Sequence, residues 1–545
     1  MKYTNILKSL LCGVVALSVW SCGDDKEETP IAPITFVSSD PANGAKDVDY
    51  NINAIKVTYS EKIHSYSGGT IKIEGGKAKL GNITLAGNSL NIPVSGLESK
   101  TTYTLTIPEN NIKSDKGQAA EAVTISFTTK EKPNTSGIGH SDVAGMELGC
   151  KEIWQEVKVG LNLGNTLESY GAWDSNCTEE NQETLWGNPK TTKEMVDAIK
   201  AAGFNAMRIP VRWYNHSEEG ISLKAARAAT TITIKERWLA RVKEIVDYCI
   251  ANDMYVILNT HHDNWYDRIN YSGFDEAVVY AKFESLWKQI ASYFAEYDQH
   301  LIFAGMNEVI FLENDGVYAS KDGEFEKGDL KYKENWGEPT KKMYDYLNKM
   351  NQVFVDAVRS TGGKNEIRNL VVQSWACDMD KGITGLVIPQ DKVEGRLSVE
   401  FHYYQPWDFA STGNTRYTWG NADDLKYVDN KFDAVKAKWF DKGYGVVMGE
   451  YGACYKYPET GITEEILSSR KLFHEIVLKK AKEHGFPGFY WDNGGKCLDA
   501  DGNLKSSGGN NGEIFALFDR YNNMKVVDKA ALEGIMAGAE TAYGE

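Results

Sequence analysis

The chain runs to 545 residues, too long for one ordinary domain and long enough for a large one with a small companion. Its 42% hydrophobic and 25% charged residues are the balance of a soluble globular protein. A formal net charge of −16 argues against nucleic acid as a partner, because a phosphate backbone would be repelled, and leaves a neutral ligand open.

Residues 1–21 read as a signal peptide: Lys2 and Lys8 carry positive charge, and the apolar stretch Leu10–Trp20 is too short to remain in a bilayer as a helix. It ends in Val19-Trp20-Ser21-Cys22, which resembles a bacterial lipoprotein box, although Trp20 departs from the tighter form. The acidic run Asp24, Asp25, Glu27, Glu28 resembles the signal that sends some bacterial lipoproteins to the outer surface. These resemblances imply an exported outer-membrane lipoprotein that faces the cell surface and is held in the membrane by a lipid on Cys22. A plain secretory signal is the alternative, and either reading exports the protein. Residues 22–32 are then a tether.

From 33 to 130 the pattern is all-β. Short alternating runs such as Ile71-Lys72-Ile73, Ile83-Thr84-Leu85 and Tyr103-Thr104-Leu105-Thr106-Ile107 are separated by Gly, Asn and Pro turns. The opening Ser39-Asp40-Pro41-Ala42-Asn43-Gly44 and the closing Val123-Thr124-Ile125-Ser126-Phe127 resemble bacterial Ig-like domains, which implies a small β-sandwich acting as a spacer, with glycan binding as the alternative. Residues 131–145 are polar and form a linker.

From 146 to 545 short apolar runs alternate with amphipathic helices, the pattern of βα units. Eight strands are expected in the runs Lys158–Asn165, Asn205–Val211, Tyr255–His262, Leu301–Val309, Asn369–Ala376, Leu397–Tyr404, Gly445–Gly452 and Gly488–Asn493. Helices are expected at Thr191–Ala202, Lys235–Asn252, Phe283–Tyr297 and Ser468–His484, the second with Trp238, Leu239, Val242, Ile245, Val246 and Cys249 on one stripe. Eight such units make an α/β chain closed as a (β/α)8, or TIM, barrel.

Active sites of such barrels lie at the C-terminal ends of the strands. There the sequence places Arg208, His261 and His262, Asn307 and Glu308, His402 and Tyr404, Glu450, and Trp491. Ionisable groups at so many strand ends need a reason. Two carboxylates across one barrel mouth suit glycoside hydrolysis, with a separation of about 5–5.5 Å in retaining enzymes and roughly 6.5–9.5 Å in inverting ones. One carboxyl must stay protonated and the other ionised, so their surroundings must differ. The eight cysteines show no paired-ligand spacing, so no metal cluster is expected, and disulfides cannot be paired from spacing. A zinc site on the His261–His262 pair is the minor alternative. No nucleotide fingerprint or other cofactor motif occurs.

The motifs Gly160-Leu161-Asn162-Leu163-Gly164-Asn165-Thr166, Met207-Arg208-Ile209-Pro210, Asn259-Thr260-His261-His262, Gly305-Met306-Asn307-Glu308, Phe401-His402-Tyr403-Tyr404, Gly449-Glu450-Tyr451-Gly452 and Tyr490-Trp491-Asp492-Asn493 resemble glycoside hydrolase family 5, specifically its subfamily 4. The resemblance spans 146–545. It implies a retaining endo-β-1,4-glucanase acting by double displacement on a plant β-glucan, whether xyloglucan, cellulose or mixed-linkage glucan. Glu308 is then the acid/base and Glu450 the nucleophile. Asn307 holds the sugar 2-hydroxyl, Arg208 and Tyr404 hold Glu450, His261 and His402 bind the sugar or tune the carboxylates, and Trp491 is a stacking floor. His262 and Asn165 are further substrate contacts, and Trp173, Trp186, Trp375 and Trp407 are candidates for outer subsites or for packing. No cofactor is implied, and a monomer is the default. A β-mannanase, or a non-catalytic glycan-binding lipoprotein, is the alternative.

Overall fold

The computed structural model describes residues 33–48, 52, 54–98, 100–129, 145–171, 178–220, 222–267, 273–309, 338–413 and 415–544. The signal peptide, Cys22, the tether, Trp173 and residues 311–336 lie outside the described residues, as does all of the linker but Gly145. The chain divides into two compact units, Met1–Pro133 and Asn134–Glu545.

In the first unit, strands alternate inward and outward residues, as Val123–Thr129 does along its length. Phe36–Asp40, Ala54–Tyr59 and Ser89–Ser95 lead one sheet, while Ala45–Val48, Val123–Thr129, Thr102–Ile107 and Lys72–Glu74 form another. Ile55, Val57, Leu90 and Ile92 from the first share one core with Tyr103, Leu105, Ile125 and Phe127 from the second, as a sandwich requires.

In the second unit eight parallel strands close on themselves: β1 (Gly160–Leu163), β2 (Ala206–Ile209), β3 (Tyr255–Asn259), β4 (Leu301–Ala304), β5 (Leu370–Gln373), β6 (Leu397–Tyr403), β7 (Gly445–Tyr451) and β8 (Gly488–Asp492). The seam is β8 against β1, with Leu161 opposite Tyr490 and Asn162 opposite Trp491. Helices follow the strands in turn: α1 (Lys193–Ala201), α2 (Glu236–Ile250), α3 (Glu276–Tyr293), α4 (Glu338–Ser360), α5 (Met379–Gly385), α6 (Ala422–Lys438), α7 (Glu464–Glu483) and α8 (Lys529–Ala539). All eight expected strands form. Helix α3 starts well before Phe283, because the Asp275 side chain accepts from the N–H groups of Ala277 and Val278 and caps it there.

The two-residue period of each strand divides its side chains between two cores. Met207, Ile209, Val256, Leu258, Phe303, Val399, Phe401 and Tyr403 face the helices in one large cluster. Ala206, Ile257, Ile302, Ala304, Val371, Val447 and Phe489 fill the barrel interior. The short helix Cys150–Glu156 closes the N-terminal end, with Ile153 and Trp154 in that interior cluster and Trp154 Nε1 donating to Ser398 Oγ at 2.8 Å. Apolar side chains thus occupy the lower part of the barrel, which leaves polar inward-facing residues for the C-terminal rim. The five described cysteines outside the sandwich, Cys150, Cys249, Cys377, Cys454 and Cys497, are buried and unbonded to one another. No helix among the described residues is long and apolar enough to cross a membrane.

Candidate active site

Arg208, at an inward position of β2, is fully buried at the centre of the rim and touches four polar side chains. Its Nη1 lies 2.9 Å from Glu450 Oε1 and donates to Asn162 Oδ1 at 3.0 Å, and its Nη2 donates to Asn307 Oδ1 at 2.6 Å. Its Nε lies 2.9 Å from Glu400 Oε1. One guanidinium therefore fixes groups from β1, β4, β6 and β7 relative to one another, using the planar fork that Lys lacks.

Glu450 reaches this centre through an irregularity in β7. The register with β6 runs Phe401 to Met448 and then His402 to Glu450, so Gly449 is the extra residue of a bulge. Gly449 must be glycine: a Cβ there would sit 1.9 Å from Glu400 Oε1. Asn162 Nδ2 donates to the Gly449 carbonyl at 2.9 Å and braces the bulge. The Glu450 carboxylate accepts from Tyr404 OH at 2.9 Å on its other oxygen.

Glu308 follows β4 and faces Glu450 across the mouth. His402 bridges them, with Nδ1 at 2.6 Å from Glu308 Oε1 and 3.5 Å from Glu450 Oε2. One oxygen of each carboxylate and a ring nitrogen of His402 all lie within 4.8 Å of one another. That spacing lies on the side of the about 5–5.5 Å of double displacement and well short of the roughly 6.5–9.5 Å of inversion. Three donors so placed could close round a cation, but the Arg208 guanidinium already supplies the positive charge and would repel one. The carboxylates differ in setting: the Glu308 side chain is 39% exposed and that of Glu450 is 7% exposed.

The electrostatics follow from burial and pairing. Burial raises the Glu450 carboxyl above its ordinary value, against the pull of His402 and Arg208, and the Glu308 charge raises it further. Arg208 and the Tyr404 hydroxyl face its two oxygens as donors and place the negative charge there. Burial and the Glu450 charge push the Tyr404 hydroxyl well above its usual range, so it remains a donor. Burial, His262 and Arg208 hold His261 well below its ordinary value and hence neutral. Its Nε2 accepts from Asn307 Nδ2 at 3.2 Å.

Of the remaining predicted residues, Trp491 stands near the end of β8, and His262 and Asn165 lie just beyond the ends of β3 and β1. The Trp491 ring lies parallel to His261 with centroids 5.9 Å apart, and Gly164 packs so close beneath it that a Cβ would meet the indole at 3.0 Å. His262 is half-buried, stands edge-on to His261 with centroids at 4.3 Å, and lies 5.9 Å from the Trp186 ring. Asn165 takes a left-handed conformation, φ 57°, in a turn whose N–H groups, those of Asn165 and Thr166, are held by buried Glu168. Burial raises the Glu168 carboxyl to about 7 despite those bonds. Trp375 is a core residue, edge-on to Tyr344 at 5.7 Å, and so packs. Trp407 is 57% exposed.

Sequence reasoning missed Glu400, Asn162 and Gln373, which are buried on β6, β1 and β5. Glu400 Oε1 is 3.2 Å from His402 Nε2, and Oε2 accepts from Gln373 Nε2 at 2.8 Å. The signal was present: Glu400, His402 and Tyr404 are spaced by two, so all three share the inward face, and a charge in a strand covered on both sides demands a partner.

The sequence profile of Cellulase (glycosyl hydrolase family 5) matches residues 169–497, and that of a bacterial Ig-like domain matches 30–129. Endoglucanase A of Paenibacillus barcinonensis is 32% identical over 421 residues, which is 72% of this chain and 91% of that protein. Among solved structures, a GH5-4 broad-specificity endoglucanase from Ruminococcus champanellensis with bound cellotriose superposes with a TM-score of 0.59 at 31% identity, covering 72% of this chain and 99% of that one. A GH5 xyloglucan-specific β-1,4-glucanase from a ruminal metagenomic library, in complex with XXLG, gives a TM-score of 0.59 at 31% identity, over 73% and 98% of the two chains.

Proposed function

The chain belongs to glycosyl hydrolase family 5 as a retaining endo-β-1,4-glucanase, and from that premise we propose that Glu450 is its nucleophile and Glu308 its acid/base. The single observation that carries these roles is the pair of carboxylates within 4.8 Å of each other, one enclosed by donors and one open to the cleft.

In the first step a Glu450 oxygen attacks the anomeric carbon, the glycosidic C–O bond breaks, and Glu308 gives its proton to the departing oxygen. The product is a glucosyl ester on Glu450 and an ionised Glu308. In the second step water attacks the same carbon, Glu308 takes its proton, and Glu450 leaves as the carboxylate, with the anomeric configuration retained. Asn307, held between Arg208 and His261, stands beside the acid/base where the 2-hydroxyl of the sugar would lie. Trp491 provides the floor under that sugar, and His262 and Asn165 line the rim.

The substrates we assign are β-1,4-glucan backbones, with xyloglucan and mixed-linkage glucan among them. Relatives described as broad-specificity and as xyloglucan-specific support that breadth. We further assign an outer-membrane, surface-facing lipoprotein tethered through Cys22, resting on the Val19–Cys22 box and the acidic run after it.

The test is a pair of variants. Glu450→Gln abolishes turnover of every substrate. Glu308→Ala loses glucan hydrolysis but keeps turnover of an aryl cellobioside with a good leaving group, which azide then accelerates. Equal loss on both substrates, or an active Glu450→Gln, would remove the assignment.

A further inference from the structure

Beneath the reacting pair lies a carboxylate that the double displacement does not use. Glu400 is fully buried, yet it meets Arg208 Nε at 2.9 Å, His402 Nε2 at 3.2 Å and Gln373 Nε2 at 2.8 Å. Resting on the role of Glu308 given above, we propose that Glu400 is a positioning residue for the acid/base proton: it takes the Nε2–H of His402, so that the Nδ1 lone pair faces Glu308 and one proton is kept between that nitrogen and the acid.

The number of protons available to the imidazole decides its tautomer. His402 has a carboxylate oxygen at each ring nitrogen, Glu400 at 3.2 Å and Glu308 at 2.6 Å. A neutral imidazole carries one N–H and can satisfy one of them. At 2.6 Å a bare nitrogen facing a bare carboxylate would oppose two lone pairs, so a second proton belongs in that contact. Glu400 cannot supply it. Although burial opposes its charge, Arg208, His402 and the Gln373 amide hold its carboxyl down at about 2. It acts as an acceptor only, which fixes the tautomer and leaves the second proton between Nδ1 and Glu308.

The groups facing the imidazole from the surrounding strands act in the same sense or not at all. Burial by itself favours the neutral ring, but His402 is held well above its ordinary value by the groups around it, which include Cys377, Glu450 and Glu308. Burial pushes the Cys377 thiol up to about 12, so at neutral pH the negative charge facing the ring comes from Glu400 and Glu450. The Arg208 charge is neutralised by those same two carboxylates, His261 is neutral, and Tyr404 is a protonated phenol. Gln373 cannot invert its amide freely to suit another partner, because its Oε1 accepts from the Met306 N–H at 2.9 Å. During catalysis the shared proton leaves Glu308 for the glycosidic oxygen and returns from water in the second step, so the count is restored each turnover.

Glu400→Gln removes the charge and keeps the shape. The alkaline limb of kcat/KM on a glucan, where the shared proton is lost, is expected to move to lower pH by about one unit or more. Turnover of a dinitrophenyl cellobioside, whose departure needs no acid, should lack that displaced limb. A folded Glu400→Gln whose limb on glucan stays in place would overturn the inference. Should that variant not fold, the unmodified enzyme still decides: nitrogen-15 NMR of His402 at pH 7, assigned by its loss in His402→Asn, should show Nε2 protonated, and a bare Nε2 would overturn it. Azide rescue of Glu308→Ala is run alongside. Failed rescue indicts the acid/base role, whereas rescue with an unmoved limb indicts the part given to Glu400 alone.

Discussion

Arg208→Met is expected to cost about 3–5 kcal/mol, because it leaves the two buried carboxylates of Glu400 and Glu450 without their cation. The magnitude can be reached independently. Glu400 moves from 4.5 to about 2 in the folded protein, with Arg208 the chief opponent of burial. A shift of roughly 2.5 units corresponds to about 3 kcal/mol of stability at neutral pH. Since the folded value is depressed, that stability is fully present above the unfolded value of 4.5 and is lost as pH falls towards about 2. At pH 3 the linkage relation leaves only about 1 kcal/mol of it. Urea unfolding followed by tryptophan fluorescence reads this directly, as all 14 Trp lie outside the 33–130 sandwich. The gap between the parent and Arg208→Met should therefore shrink by about 2 kcal/mol between pH 7 and pH 3. A loss under about 1 kcal/mol at pH 7, or a gap that does not change with pH, would refute the reasoning.

Two further outcomes follow from single residues. Gly449→Ala puts a methyl group onto the Glu400 carboxylate and forces the bulge apart, so glucan turnover should fall at least about 100-fold while the unfolding midpoint drops, a clash of this kind costing typically 1–3 kcal/mol; a fully active Gly449→Ala would show that the bulge does not set the nucleophile. Cys22→Ala should release the protein from the membrane fraction into the medium or periplasm with unchanged specific activity, whereas persistent membrane association would refute a lipid anchor at that residue.

The barrel was legible because its strands are covered on both faces. Runs such as Tyr255–Asn259 and Leu301–Ala304 have to be apolar, and the polar residues at their ends then stand out. Arg208, Asn307, Glu308, His402, Tyr404 and Glu450 were found in this way, and the structure gathers them round one guanidinium. Glu400 was not, because it lies within a strand, between Val399 and Phe401, where the apolar signal of the outward face dominates. The bulge at Gly449 was hidden for a different reason: register is a relation between β6 and β7, and neither strand encodes it locally. Trp375 illustrates the converse limit. A Trp just beyond a strand end can pack or stack, and only its position behind the rim, against Tyr344, decides for packing.

What the buried frame does for the chemistry follows from its charge. On the roles proposed for them, Glu450 is an anion and Glu308 carries the proton before reaction, and in the covalent intermediate Glu450 is a neutral ester and Glu308 is the anion. The pair therefore carries one negative charge throughout, and each step moves it between oxygens no more than 4.8 Å apart. Arg208 holds one end of that path and His402 the other, and Glu400 is ion-paired with the first and within 3.2 Å of the second. A cation facing Glu450 alone would stabilise the reactant anion and raise the barrier to forming the ester. With its charge divided between Glu400 and Glu450, Arg208 orients Glu450 without binding its charge so tightly that attack is opposed. The donors and charges around Glu450 are already in place and need little reorganisation as it reacts, which is the condition under which a buried polar site lowers a barrier.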